Sequence, residues 1–235
     1  FAGVGGAEMM LSRLIQATEQ QYQHVIIALM KTSEVYQSIL DRCQVHYALG
    51  WNGLNTFGTI QKLRALLKQL APQKVQCWMY HANVLASLSV IGLKQKPKVV
   101  WGIHHSLASP KEESISTKLA LGLSKFLSKQ PQAVIYCAHS AMQQHQAFGF
   151  HNSNSHVIAN GVYLNKFQPN SELHEPIVIG FAGRYHPAKG YPYLFETMAK
   201  LKDQPVAFRI AGGGASLNNP EVKAHFELYQ LDQEK

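Results

Sequence analysis

The residues best suited to chemistry are cations and histidines placed where strands are expected to end. Arg184 and Lys189 stand five positions apart in Gly180-Phe181-Ala182-Gly183-Arg184-Tyr185-His186-Pro187-Ala188-Lys189-Gly190, between an apolar run and a helical pattern. A guanidinium grips a phosphate through two parallel N–H bonds, whereas an ammonium acts as a point charge. The free amides of a helix start favour the same anion. Surface Arg and Lys are ordinarily just solvated, so position at a strand end is what marks this pair. The segment is not a P-loop, because the Gly-Lys-Ser/Thr ending is missing.

A second candidate is Trp101-Gly102-Ile103-His104-His105-Ser106. In open α/β sheets ligands bind beyond the carboxyl ends of the strands, where a histidine can bond a phosphate or a sugar hydroxyl near neutral pH. A loop histidine without a task is the other reading. Two adjacent histidines make no metal site, since no third ligand stands at a recognisable spacing. His81, just past another apolar run, is a weaker candidate of the same kind.

Two glycine-rich turns complete the set. Gly5-Gly6-Ala7-Glu8 opens a helical pattern, where bare backbone lets a ligand approach the helix amides. Taken alone it reads first as a loop turn, since such loops are common, with Glu8 favourable in the first helical turn. Gly3-x-Gly5 is present, but the third glycine of the dinucleotide fingerprint would fall at Glu8, which argues against an NAD enzyme. Ile210-Ala211-Gly212-Gly213-Gly214 is either a backbone seat for a ligand or a flexible turn.

Absences narrow the chemistry. The three Asp are Asp41, Asp203 and Asp232, and no Asp-x-Asp exists, so a divalent-metal clamp of paired Asp is unavailable. Neither a Gly-x-Ser-x-Gly elbow nor His-Glu-x-x-His occurs. Cys43, Cys77 and Cys137 are odd in number and far apart, which points to a reducing compartment rather than a disulfide framework or zinc finger.

The elements that must position these residues alternate. Helical spacing covers 6–20, 57–70, 83–93, 115–127, 139–148, 191–201 and 221–231. Short runs rich in Val and Ile at 22–30, 45–49, 75–80, 99–103, 133–137, 156–159, 177–182 and 206–211 read as strands. Strands separated by helices imply parallel pairing with right-handed crossovers, hence an α/β fold. Asn160-Gly161 signals a turn, and the aperiodic stretch 162–176 with Pro169 and Pro176 reads as a linker.

The 235 residues are 46% hydrophobic and 15% charged, enough for one and a half to two domains and too apolar for a disordered chain. Lys plus Arg number 22 against 14 Asp plus Glu, and the net charge of +8 suits an anionic partner. The basic residues do not cluster with aromatics, so nucleic acid is not expected. No apolar run approaches the roughly 20 residues that span a bilayer. The chain does not start at Met, and Phe1 to Gly6 read as the middle of a longer sequence.

In this order the motifs resemble the retaining GT-B glycosyltransferases of the "glycosyl transferases group 1" family. The carrying residues are Gly-Gly-Ala-Glu at 5–8, Gly-Ile-His-His-Ser at 102–106, and His156-Val157-Ile158-Ala159-Asn160-Gly161-Val162 with Phe167 and Pro169. Gly183-Arg184 through Lys189-Gly190, and Ile210 to Gly214, complete them. The resemblance implies two Rossmann-like domains facing each other across a cleft: an acceptor-side domain at 1–161, the linker at 162–176, and the first part of a nucleotide-sugar-binding domain at 177–235. It implies Gly5, Gly6, Gly183, Gly212 and Gly213 in the donor site, with Arg184 and Lys189 holding the diphosphate leaving group. It sets His104 beside the transferred sugar, Ser106 following it by two as in the family pattern, with His81, His105 and Asn160 on the acceptor side.

The same resemblance implies a nucleotide-diphosphate sugar as donor, a glycan or lipid-linked acceptor, retention, and neither cofactor nor metal. Nothing in 221–235 matches the family's Glu-x7-Glu pair, so this piece alone is expected to be inactive. A cytoplasmic setting is expected. Contact with an acidic membrane face is suggested by the net charge and by helix 57–70, although that helix reads first as an ordinary amphipathic core helix. A GT-B phosphorylase, a nucleotide-sugar epimerase and a non-catalytic nucleotide-sugar-binding module are the alternatives.

Overall fold

The computed structural model describes residues 5–32, 34, 37–164 and 176–231. The chain divides into two compact units, Phe1–Val162 and Tyr163–Lys235. Of the linker expected over 162–176, residues 165–175, with Phe167 and Pro169, lie outside the described residues, as do 1–4 and Asp232.

Unit 1 runs α1 (Gly6–Thr18), β1 (Val25–Ala28), α2 (Gln37–Leu40), β2 (Val45–Ala48), α3 (Thr56–Leu70), β3 (Lys74–Trp78), α4 (Tyr80–Ser89), β4 (Lys98–Ile103), α5 (Ile115–Leu127), β5 (Ala133–Tyr136), α6 (His139–Phe148) and β6 (Ser155–Val157). β1 and β2 pair in parallel, and β3, β4, β5 and β6 form a parallel sheet in that order. The register sets Trp78 beside Gly102, Ile103 beside Tyr136 and Tyr136 beside Val157, so four strands end along one edge. Parallel strands are covered on both faces, and Trp101, Ile103 and Val134 are fully buried. The Trp101 indole N–H donates to Ser87 Oγ at 3.0 Å, which satisfies its one polar atom.

Unit 2 runs β7 (Ile177–Ala182), α7 (Tyr191–Lys200), β8 (Val206–Ala211) and α8 (Pro220–Tyr229). β7 and β8 are parallel from Ile177–Val206 to Ala182–Ala211, so Gly183 and Gly212 follow at one edge. Tyr191, Leu194, Phe195, Met198 and Val222 form the core. Asn219 caps α8 by accepting from the Glu221 amide at 3.1 Å.

Several bounds differ from the sequence reading, each for a local reason. β1 is shorter than 22–30 because its partner β2 has four residues, and Tyr22 and Met30 face solvent. α4 starts at Tyr80 rather than 83, because Met79 takes a left-handed φ of 70° and turns the chain from β3 directly into the helix. His81 therefore sits in the first turn of α4. α2, a single turn, is too short to show a period.

Candidate functional site

His104 is the first residue after β4. Its ring stacks on that of Trp78 at the end of β3, with centroids 4.4 Å apart and planes 13° apart. Gly102 serves the approach of β3 rather than of this ring: a Cβ there would lie 3.1 Å from the Cys77 carbonyl, a tight contact, but 3.6 Å from His104 Nε2, an ordinary one. His104 Nδ1 stands 3.2 Å from Asn160 Oδ1, which joins residues 56 apart in sequence. An amide oxygen only accepts, so Nδ1 carries the hydrogen, and Nε2 of the neutral ring is left as an acceptor. Burial holds the imidazole pKa below its ordinary 6.5, against the opposing pull of the Asn160 bond. The ring is thus neutral at neutral pH and presents a lone pair that can accept from a hydroxyl.

The two other histidines of this edge are engaged differently. His105 Nε2 lies 2.7 Å from Glu113 Oε1, which ties it to the loop entering α5. His81 Nε2 lies 2.8 Å from Ser116 Oγ, and its ring leans on Trp51 at 5.0 Å. Burial lowers its pKa as well. Ser106 Oγ and the Leu107 amide both donate to Gln144 Oε1, at 2.9 and 2.8 Å, which anchors the loop after β4 to α6. Beneath the loop, the buried Tyr80 hydroxyl meets His145 Nε2 at 2.7 Å. Tyr80 also sets its ring edge against His105, with centroids 6.1 Å apart.

Gly5 is the N-cap of α1, and no side chain caps it. The Glu8 carboxylate folds back toward it, within 2.5 Å of where a Gly5 Cβ would stand, while space around Gly6 is open. Arg13, two turns along α1, donates to the Gly161 carbonyl at 2.6 Å and so binds α1 to the turn that carries Asn160.

In unit 2 the Gly183 amide donates to the Ala211 carbonyl at 2.8 Å, and the Tyr185 amide to the Gly213 carbonyl at 2.8 Å. The buried Tyr191 hydroxyl donates to the Gly183 carbonyl. These bonds hold the strand ends together. The Lys189 stem lies over Gly183, with its Cγ and Cδ 3.7 Å from the position of a Cβ there. Lys189 closes a 3-10 turn, Pro187–Lys189, whose Ala188 amide is capped by His186 Nδ1 at 3.2 Å. Gly190, left-handed at φ 70°, then starts α7. Arg184 and Lys189 are both exposed. A Cβ at Gly212 would run into the Gly183 carbonyl, so this glycine serves the approach of the two strand ends, whereas Gly213 faces open space.

The structure brings His104 and Asn160 together in unit 1, and Gly183, Lys189 and Gly212 together in unit 2. It binds His105 to Glu113 and His81 to Ser116 instead. Trp78, Gln144, His145 and Tyr191 are positioning residues that sequence reasoning missed. Of these, Tyr191 alone, directly after Gly190, stood next to a motif. Among the described residues no group of three His, Cys, Asp or Glu is arranged to hold a metal ion.

The family model of Glycosyltransferase Family 4 matches residues 4–166, more than half of the chain. No curated protein sequence matches it. Among solved structures, the chain is similar to Anabaena HepE in complex with UDP and glucose, at TM-score 0.75 and 16% identity over 99% of this chain and 65% of HepE. It is similar to the lipopolysaccharide outer core galactosyltransferase WaaB, at TM-score 0.71 and 16% identity over 99% of this chain and 64% of WaaB. S. aureus MnaA with UDP follows at TM-score 0.54 and 15% identity, over 96% of this chain and 63% of MnaA. The chain thus spans slightly under two thirds of the length of these structures, and the likeness establishes a GT-B fold.

Proposed function

The chain belongs to Glycosyltransferase Family 4, and from that premise we propose that it serves the transfer of a hexose from a UDP-linked donor to a glycan or lipid-linked acceptor, with retention at the anomeric carbon. HepE with UDP and glucose supports the choice of donor. In this reading unit 2 takes the nucleotide diphosphate and unit 1 supplies His104 and the acceptor side.

The observation that carries the reading is the seating of Lys189. Its stem rests on Gly183 and Arg184 follows that glycine, so both cations issue from the carboxyl end of β7. The bond that breaks joins the anomeric carbon to a phosphate oxygen. The sugar gains oxocarbenium character, as in glycoside hydrolysis, and the electron pair leaves with the diphosphate. Arg184 and Lys189 take up that growing negative charge, Arg184 through paired N–H bonds and Lys189 as a point charge. His104, neutral and donating to Asn160, accepts a sugar hydroxyl hydrogen at Nε2 and orients the ring. No nucleophilic side chain is assigned, so no covalent intermediate is proposed.

Loss of one such electrostatic donor typically costs about 3–4 kcal/mol of barrier. Arg184→Ala or Lys189→Ala in the full-length enzyme should therefore lower turnover by roughly a hundredfold or more, measured as UDP release from a panel of UDP-sugars. Near-normal turnover in both variants refutes the assignment.

A further inference from the structure

Among the described residues, three other than glycine have a positive φ: Ala71, Met79 and Gln230. Ala71 and Gln230 are the C-caps of α3 and α8 and sit in the left-handed helical well, where many helices end. Met79 differs. At φ 70° and ψ 168° it lies in a region that is essentially glycine's, because a Cβ there crowds the backbone. Such strain persists only where the surroundings fix it from several sides. The Met79 amide donates to the Gly102 carbonyl of β4 at 2.9 Å, and the Met79 carbonyl accepts from the Asn83 amide of α4 at 3.0 Å. One residue thus ends the strand and starts the helix, with no loop to share the turn. Its half-buried side chain packs against the core of unit 1.

Both chain neighbours of Met79 carry rings that meet the segment after β4. Trp78 stacks on His104 at 4.4 Å, and Tyr80 sets its edge against His105 at 6.1 Å. Tyr80 is itself fixed by its bond to His145, so a swing about the Met79 backbone would move Trp78. We propose that Met79 is a positioning residue: its strained backbone, anchored by the packed side chain, sets the Trp78 ring against His104 and so fixes the imidazole that presents Nε2. Glycine fits the same φ without strain but lets the junction turn. Stability and activity therefore pull in opposite directions at this position. The effect on turnover rests on the transfer reading above; the placement of the rings does not.

The test compares three variants, with circular dichroism verifying that each folds. Met79→Gly and Met79→Ala both remove the side chain and differ only in the Cβ. In ordinary backbone glycine is the less stable of the two, but at this φ the order reverses, and Met79→Gly should melt about 2–4 °C above Met79→Ala. Met79→Leu keeps both Cβ and bulk and serves as the conservative variant. In the protein without donor, the stacked indole shifts the His104 ring protons upfield in the NMR spectrum, a signal assigned by its loss in His104→Gln. That shift should persist in Met79→Leu and shrink in Met79→Gly. In the full-length enzyme, kcat should stay near that of the parent in Met79→Leu and fall roughly tenfold in Met79→Gly. A Met79→Gly melt below that of Met79→Ala overturns the proposal. So does an unchanged His104 shift, or parental turnover, in folded Met79→Gly. If the parent itself transfers no sugar, the transfer reading fails, and the melts and the His104 shift decide the role of Met79.

Discussion

Replacing Tyr80 with Phe should cost about 1–3 kcal/mol of stability, the penalty for stranding one buried polar atom. The Tyr80 hydroxyl lies 2.7 Å from His145 Nε2, and the two residues are 2% and 0% exposed. His145 Nδ1 lies 2.7 Å from the Ala141 carbonyl, which can only accept, so the hydrogen sits on Nδ1 and Nε2 must accept from the phenol. Burial lowers the His145 pKa, opposed by the Ala141 bond and reinforced by nearby His105, which keeps the ring neutral and suited to this role. Phe preserves the ring and removes only the donor. In a chain of this length each kcal/mol shifts the midpoint by about 2–4 °C, so a fall of roughly 2–12 °C is expected in a thermal melt. His145→Leu should strand the phenol in the same way. The double variant, with both polar partners gone, should be less destabilised than the sum of the two. A Tyr80→Phe melt within about 0.5 kcal/mol of the parent, or strict additivity in the double variant, would refute the buried bond.

Two further outcomes follow from the same structure. His81, His104 and His145 are all held below the ordinary 6.5, chiefly by burial. The unfolded chain therefore binds protons below about pH 6.5 that the folded chain does not, so stability is full above that pH and falls as pH drops below it; a denaturant midpoint equal or higher at about pH 5.5 than at about pH 7.5 would contradict this. Gly212→Ala should destabilise unit 2 by about 1–3 kcal/mol or more, because the new methyl meets the Gly183 backbone and no side chain can give way. Gly213→Ala, in open space, should stay within about 0.5 kcal/mol, and equal melts for the two variants would show that the strand ends do not approach as described.

The alternation of elements, and the strand ends that carry the candidate residues, were legible in the residue pattern alone. Ile115–Leu127, His139–Phe148, Ile177–Ala182 and Val206–Ala211 stand where the patterns placed them, because periodicity records which side of an element meets the core. The task of each polar atom was not legible there and emerges from the folded chain. His104 and His105 are neighbours of one type, yet one stacks on Trp78 and bonds Asn160 while the other pairs with Glu113. Gly212 and Gly213 look alike in sequence, but only Gly212 lies against Gly183. Tyr80 and His145, 65 residues apart, carry no local sign of their bond. Local patterns report burial, whereas a hydrogen-bond partner is set by the register of strands and the path of loops distant along the chain, and that is settled only when the sheet assembles.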